Sequence, residues 1–121
     1  MKAKAVFFDR DGVLIKAVIR DHKPFAIHSA DEFCLTEGAQ EAVQQLAAAD
    51  YRLFIISNQP DLARGTLAHG FVSETNQKLV GLLGGSAMIR AVYVCPHDNS
   101  HRCECRKPRP GMLLQAAKEW D

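Results

Sequence analysis

Three short apolar runs, residues 4–8 (KAVFF), 52–56 (RLFII) and 89–94 (IRAVYV), constrain this chain more than any other feature. Runs of this length and character belong inside a sheet. Helical periodicity fills the intervals. Ala39, Ala42, Val43, Leu46 and Ala47 share one helical face, in a helix expected to end near Asp50. Val72, Leu79, Val80 and Leu83 share another, which Gly84-Gly85 stops. Pro110 suits the first turn of a last helix carrying Met112, Leu113, Ala116, Ala117 and Trp120. Strand and helix thus alternate three times, the signature of an α/β fold with a parallel sheet and right-handed crossovers. Residues 12–37 contain Pro24 and keep no sustained period, so a long flap or loop is expected there.

In open parallel sheets the ligand site lies beyond the carboxyl ends of the strands. Asp9 and Asp11 follow the first strand, Ser57 the second and Cys95 the third, so all are expected at one end. Carboxylates at a strand tip are expensive unless paired or bound to metal. Asp-x-Asp has a chemical use there. The first carboxylate can attack phosphorus, and the second can protonate the leaving oxygen and then deprotonate water. Repulsion between carboxylate and phosphoryl group calls for a hard cation such as Mg²⁺. The plain alternative is a turn capped by Asp. A calcium loop is excluded, because Gly12 follows Asp11 directly and Val13, Leu14 and Ile15 are apolar. Ser57 can offer a hydroxyl to phosphate or cap a helix. Arg106 and Lys107 can follow charge into a transition state or be solvated surface.

The 121 residues carry a formal net charge of +1, which describes one soluble globular domain and gives no electrostatic case for nucleic acid or an anionic membrane. No apolar run approaches the roughly 18 residues of a membrane span, and no signal-peptide segment opens the chain, so a cytoplasmic location is expected. Of four cysteines, Cys34 stands alone and reads as a small hydrophobe. Cys95, Cys103 and Cys105 crowd beside His97 and His101. Cys-x-His, five residues, then Cys-x-Cys is a closed set of three thiolates and one imidazole, as in structural zinc sites. His97 brackets the loop more neatly than the alternative, His101.

The stretches FFDRDGVL, SNQPDLARG and CPHDNSHRCECRKPRPGM together resemble the zinc-containing phosphatases of the haloacid dehalogenase superfamily. Within it they are most similar to the D-glycero-D-manno-heptose 1,7-bisphosphate 7-phosphatases, with histidinol-phosphate phosphatases as cousins. The resemblance covers nearly the whole chain. It implies a capless three-layer α/β/α Rossmannoid domain over residues 1–121, with a zinc loop at 95–105. It implies Asp9 as nucleophile, Asp11 as general acid/base, and Mg²⁺ held by the Asp9 side chain and the Asp11 carbonyl. Ser57 and Lys107 match phosphoryl-stabilising residues, Asn58 a substrate-contacting one, and Arg106 one that recognises the sugar phosphate. Cys95, His97, Cys103 and Cys105 match the structural zinc ligands. The implied activity is Mg²⁺-dependent hydrolysis of a small phosphorylated metabolite, a sugar bisphosphate such as D-glycero-D-manno-heptose 1,7-bisphosphate, through an aspartyl-phosphate.

Two departures qualify what the resemblance implies. The stretch KAVIRDHKPFAIHS is several residues longer than its counterpart and lies where substrate is recognised. The family also has a fourth motif, an acidic loop after a further strand, and this chain ends before it. Asp98 and Asp121 are the nearby later acids, and neither substitutes convincingly. The expectations are therefore weak activity, a first strand left on an edge, and self-association through that edge. A zinc-stabilised, inactive binding module is the alternative of a different class.

Overall fold

The computed structural model describes residues 4–98 and 102–120. Strand β1 (Ala5–Asp9) leads to a ribbon of β2 (Val18–Arg20) and β3 (Lys23–Phe25) and a 3-10 turn (Ala30–Glu32). Helix α1 (Ala39–Ala48), β4 (Arg52–Asn58), the single turn α2 (Asp61–Arg64) and α3 (His69–Leu82) follow. Strand β5 (Ile89–Cys95) and helix α4 (Gly111–Trp120) complete the chain. Strands β1, β4 and β5 form a parallel sheet in the order β1-β4-β5, with Ala5 opposite Arg52 and Ser57 opposite Val94. The parallel α/β reading is therefore correct.

Strand alternation sends side chains to both faces and builds two cores. Leu53, Ile55 and Ile89 pack with Val43 of α1 and Leu79 of α3 on one side. Phe54, Ile56 and Tyr93 pack with Met112 and Ala116 of α4 on the other. Three layers result. Phe7 stacks on Phe54 at 5.1 Å between ring centroids, and Trp120 meets Phe54 edge-on at 6.1 Å. Trp120 also donates from Nε1 to the Tyr93 hydroxyl at 3.0 Å, which pins the end of α4. Among the expected inward residues, Ala42, Leu113 and Ala117 are exposed instead, because each buried stripe is narrower than the apolar one.

Two expectations needed revision. Residues 12–37 are not a plain loop. Asp21 and His22, with φ of 50° and 63°, turn β2 into β3, the paired left-handed geometry of a two-residue hairpin. Pro24 is tolerated because a two-stranded ribbon consists only of edges. Ile15 and Ile27 are fully buried, so the segment is part of the core. Ser57 is also not beyond its strand. The ladder to β5 runs on through Asn58 opposite Cys95, so β4 keeps its polar tip in register.

On its outer side β1 has no strand partner among the described residues, and Val6, Phe7 and Phe8 are only half-buried. No described helix is long and apolar enough to cross a membrane.

Candidate active site

Asp9 is the last residue of β1, and the chain folds back at once. Arg10 O accepts from Leu14 N at 3.0 Å and Ile15 N at 2.9 Å, while Gly12 N donates to Ile15 O at 2.7 Å. Gly12 takes φ of 86°, a conformation costly for other residues, and this tight return leaves both aspartates at the strand mouth. Asp9 stays 48% exposed, and its Oδ1 lies 2.8 Å from Lys107 Nζ.

Asp11 is held on several sides. Arg10 donates from Nε to Oδ2 and from Nη2 to Oδ1, both at 3.2 Å, and Gln59 Nε2 donates to Oδ2 at 2.7 Å. The same Gln59 nitrogen lies 2.7 Å from Ser57 Oγ. Arg10 is wholly buried and ties this corner to α3 by donating from Nη1 to Asn76 Oδ1 at 3.0 Å. Ser57 thus sits beneath the cleft floor and reaches Asp11 through Gln59.

The cleft itself has a volume of about 810 Å³ and is lined by Asp9, Asp11, Asn58, Gln59, Arg106 and Lys107. Arg20, His28, Asp61 and Arg64 form its far wall. There His28 Nε2 lies 2.8 Å from Asp61 Oδ2, joining the hairpin segment to α2, and Arg64 donates to Asp61 Oδ1 at 3.3 Å. A separate cavity of about 770 Å³ between α3 and β5, lined mainly by groups such as Val72, Val80 and Val92, holds none of the expected site residues.

Asn58 grips the cysteine-bearing loop after β5 with both ends of its amide. Its Nδ2 donates to Lys107 O at 3.3 Å, and Lys107 N donates to its Oδ1 at 3.0 Å. Asn58→Ala is expected to cost about 1–2 kcal/mol, the worth of two such bonds, and to free Lys107 from its place. Urea unfolding of parent and variant checks this, and an unchanged midpoint would refute it.

Cys95, His97, Cys103 and Cys105 converge, with their ligand atoms all within 4.8 Å of one another. His97 Nδ1 lies 3.7 Å from Cys95 Sγ and 3.4 Å from Cys105 Sγ, and Cys95 and Cys103 Sγ are 3.5 Å apart. Arms of about 2.3 Å to sulfur and 2.0 Å to nitrogen make tetrahedron edges close to these separations; Cys105 and Cys95 Sγ, 2.8 Å apart, would part by about 1 Å, and the donor set then suits one zinc ion. The thiols are tuned unequally. Burial opposes it, yet the Arg106 backbone amide and the neighbouring thiols lower Cys103 to about 6. Burial, then the Cys95 and Cys103 thiols, push Cys105 up to about 12. Arg106 donates to His97 O at 3.4 Å, so the loop braces the residue that precedes Lys107. Helix α4 crosses close behind, where a Cβ on Gly111 would collide with the Glu104 carbonyl. The alternative ligand His101 and the terminal Asp121 lie outside the described residues. Asp98 is half-buried in the same loop.

The expected site residues therefore gather at one end of the sheet. Arg10, Gln59, Asn76 and the His28–Asp61 pair were not foreseen. Arg10 could have been found, since a cation between two strand-tip carboxylates has obvious partners.

A parallel α/β/α sheet with these groups at its carboxyl end has the architecture of the haloacid dehalogenase-like phosphatases. The chain belongs to the family described as polynucleotide kinase 3 phosphatase, which matches residues 4–121. It is 39% identical, over 96% of its length, to the D-glycero-beta-D-manno-heptose-1,7-bisphosphate 7-phosphatase of Pasteurella multocida, of which it covers 64%. It is 37% identical, over 100% of its length, to the alpha-heptose counterpart of Campylobacter jejuni, of which it covers 66%. A crystal structure of the D,D-heptose 1,7-bisphosphate phosphatase of B. bronchiseptica, complexed with magnesium and phosphate, superposes with a TM-score of 0.75 at 30% identity. That match covers 98% of this chain and 64% of the other. The chain thus spans just under two thirds of the length of these relatives.

Proposed function

We propose that residues 1–121 form a single phosphatase unit that hydrolyses a small phosphorylated metabolite, in particular a sugar bisphosphate such as D-glycero-D-manno-heptose 1,7-bisphosphate. The observation that carries this reading is the half-open Asp9 carboxylate 2.8 Å from Lys107 Nζ, at the mouth of a cleft that Asp11 also lines. The relatives' names support the substrate class.

In this reading an Asp9 oxygen attacks phosphorus and the bond from phosphorus to the sugar oxygen breaks. Asp11 gives its proton to that leaving oxygen, then takes one from water. The water oxygen attacks phosphorus, the bond to Asp9 breaks, and phosphate leaves. Lys107 and Ser57 stabilise the phosphoryl oxygens, while Arg106 and Asn58 contact the substrate and set its position. The oxygen donors at the strand mouth fit Mg²⁺, which the Asp9 carboxylate and Asp11 carbonyl would hold and which would offset repulsion between carboxylate and phosphate. Zinc in the four-ligand loop would be structural.

Phosphate release with and without Mg²⁺, using both heptose bisphosphate anomers, histidinol phosphate and a 3′-phosphorylated oligonucleotide, tests the reading. Mg²⁺-dependent release from a sugar bisphosphate is expected. Preference for histidinol phosphate would reassign the substrate, and preference for the oligonucleotide would move it to nucleic-acid ends. Binding without hydrolysis would favour a zinc-stabilised binding module. Light scattering in the same buffers checks self-association across the open β1 edge, and a monodisperse monomer would exclude it.

A further inference from the structure

Gln59 is 1% exposed, and its Nε2 lies 2.7 Å from both Asp11 Oδ2 and Ser57 Oγ. The Asp11 carboxylate, also bound by Arg10, presents only acceptors to this amide. The end of the amide turned toward it must therefore be the NH₂, and a reversed amide would set oxygen against oxygen. Of the two hydrogens on that nitrogen, one goes to Asp11 and the other to Ser57. Ser57 Oγ is thus an acceptor from Gln59, and its own single hydrogen is left to donate in another direction.

We infer that Gln59 is a positioning residue that makes Ser57 a donor for the phosphoryl group while fixing the face of Asp11. This rests on the phosphatase reading, because it assigns Ser57 a phosphoryl oxygen to bind. A free serine hydroxyl rotates to suit any neighbour, and part of its binding worth is lost in ordering it. Here the rotation is settled in advance by a buried amide that is itself anchored on a catalytic carboxylate. One side chain thereby couples the group that holds phosphate to the group that moves the proton.

The test is a double-mutant cycle on inorganic phosphate binding, by calorimetry at saturating Mg²⁺, with Gln59→Met, Ser57→Ala and the double variant. Gln59→Met is expected to weaken binding about fivefold, the worth of one neutral hydrogen bond, and less than about twofold once Ser57 is alanine. Gln59→Glu keeps the shape but accepts from Ser57 and repels Asp11, so a loss of about tenfold or more is expected. Equal losses with and without Ser57 would overturn the inference. An independent readout uses the Gln59 side-chain amide resonances. Ser57→Ala is expected to shift one proton and Asp11→Asn the other. If neither moves, the assignment fails whether or not phosphate binds. Failure of the parent to bind phosphate, with both shifts seen, would count against the phosphatase reading and keep the Gln59 geometry.

Discussion

Asp9→Asn is expected to abolish turnover, lowering kcat by at least about 10³-fold while leaving the fold intact. The amide has the carboxylate's shape but is a poor nucleophile, and no neighbouring acid can take its place. Asp11 is committed to Arg10 and Gln59, and Asp61 to His28 and Arg64 across the cleft. Stability should barely change. The pair to Lys107 joins a half-exposed carboxylate to a partly exposed ammonium, and such pairs contribute about 0–1 kcal/mol. The check is a phosphate-release rate beside a thermal melt, on preparations with measurable activity. A variant that keeps more than about a tenth of the parental rate would remove Asp9 from the nucleophile's role.

The second large effect concerns the four-ligand loop of Cys95, His97, Cys103 and Cys105. One zinc per chain is expected by elemental analysis, and its removal by chelation is expected to destabilise the fold severely. In small zinc domains, apparent binding energies of about 10–16 kcal/mol act as folding energy. Here the sheet and its two cores supply stability of their own, so the loss is smaller but still large. Cys103→Ser is expected to cost about 3 kcal/mol or more and to lower Tm by about 10 °C. Cys95, at the end of β5, is wholly buried against the α4-side core, so the damage should reach the sheet itself. An unchanged Tm, or purified protein free of zinc, would refute a structural metal. Activity should fall with the metal, because Lys107 follows Cys105 by two residues and is placed by the same loop.

Much of this was legible in the sequence, for definite physical reasons. Apolar runs and helical periods report burial, and burial is what a parallel α/β sheet arranges most strictly. The strand ends then place Asp9, Asn58 and Cys95 without further information. The hairpin at residues 18–25 was not legible. Its turn residues, Asp21 and His22, lack the glycine that normally marks left-handed turns, and Pro24 argues against a strand. The support network was hidden for another reason. Gln59 and Asn76 are polar residues whose burial depends on partners far along the chain, and no local pattern encodes such pairing. Asn58 shows the same limit at closer range. Its place beside the cleft follows from the strand, but its double hold on Lys107 follows only from the path of the loop after β5.

The order β1-β4-β5 also governs how the chain reaches its native state. No hairpin joins any two strands of this sheet, and each parallel pair must close over an intervening helix. Loop closure on that scale precedes any gain from pairing, so folding is expected on the slow side, in milliseconds to seconds. During synthesis the strand bearing Asp9 emerges before β4 and β5, and its hydrogen-bonding partner begins only at Arg52. For that interval its Val-Phe-Phe segment has nothing to pair with, and the acidic turn after it is the nearest guard against pairing with another nascent chain. The two carboxylates suited to phosphorus chemistry would then serve earlier in the molecule's life as charged gatekeepers.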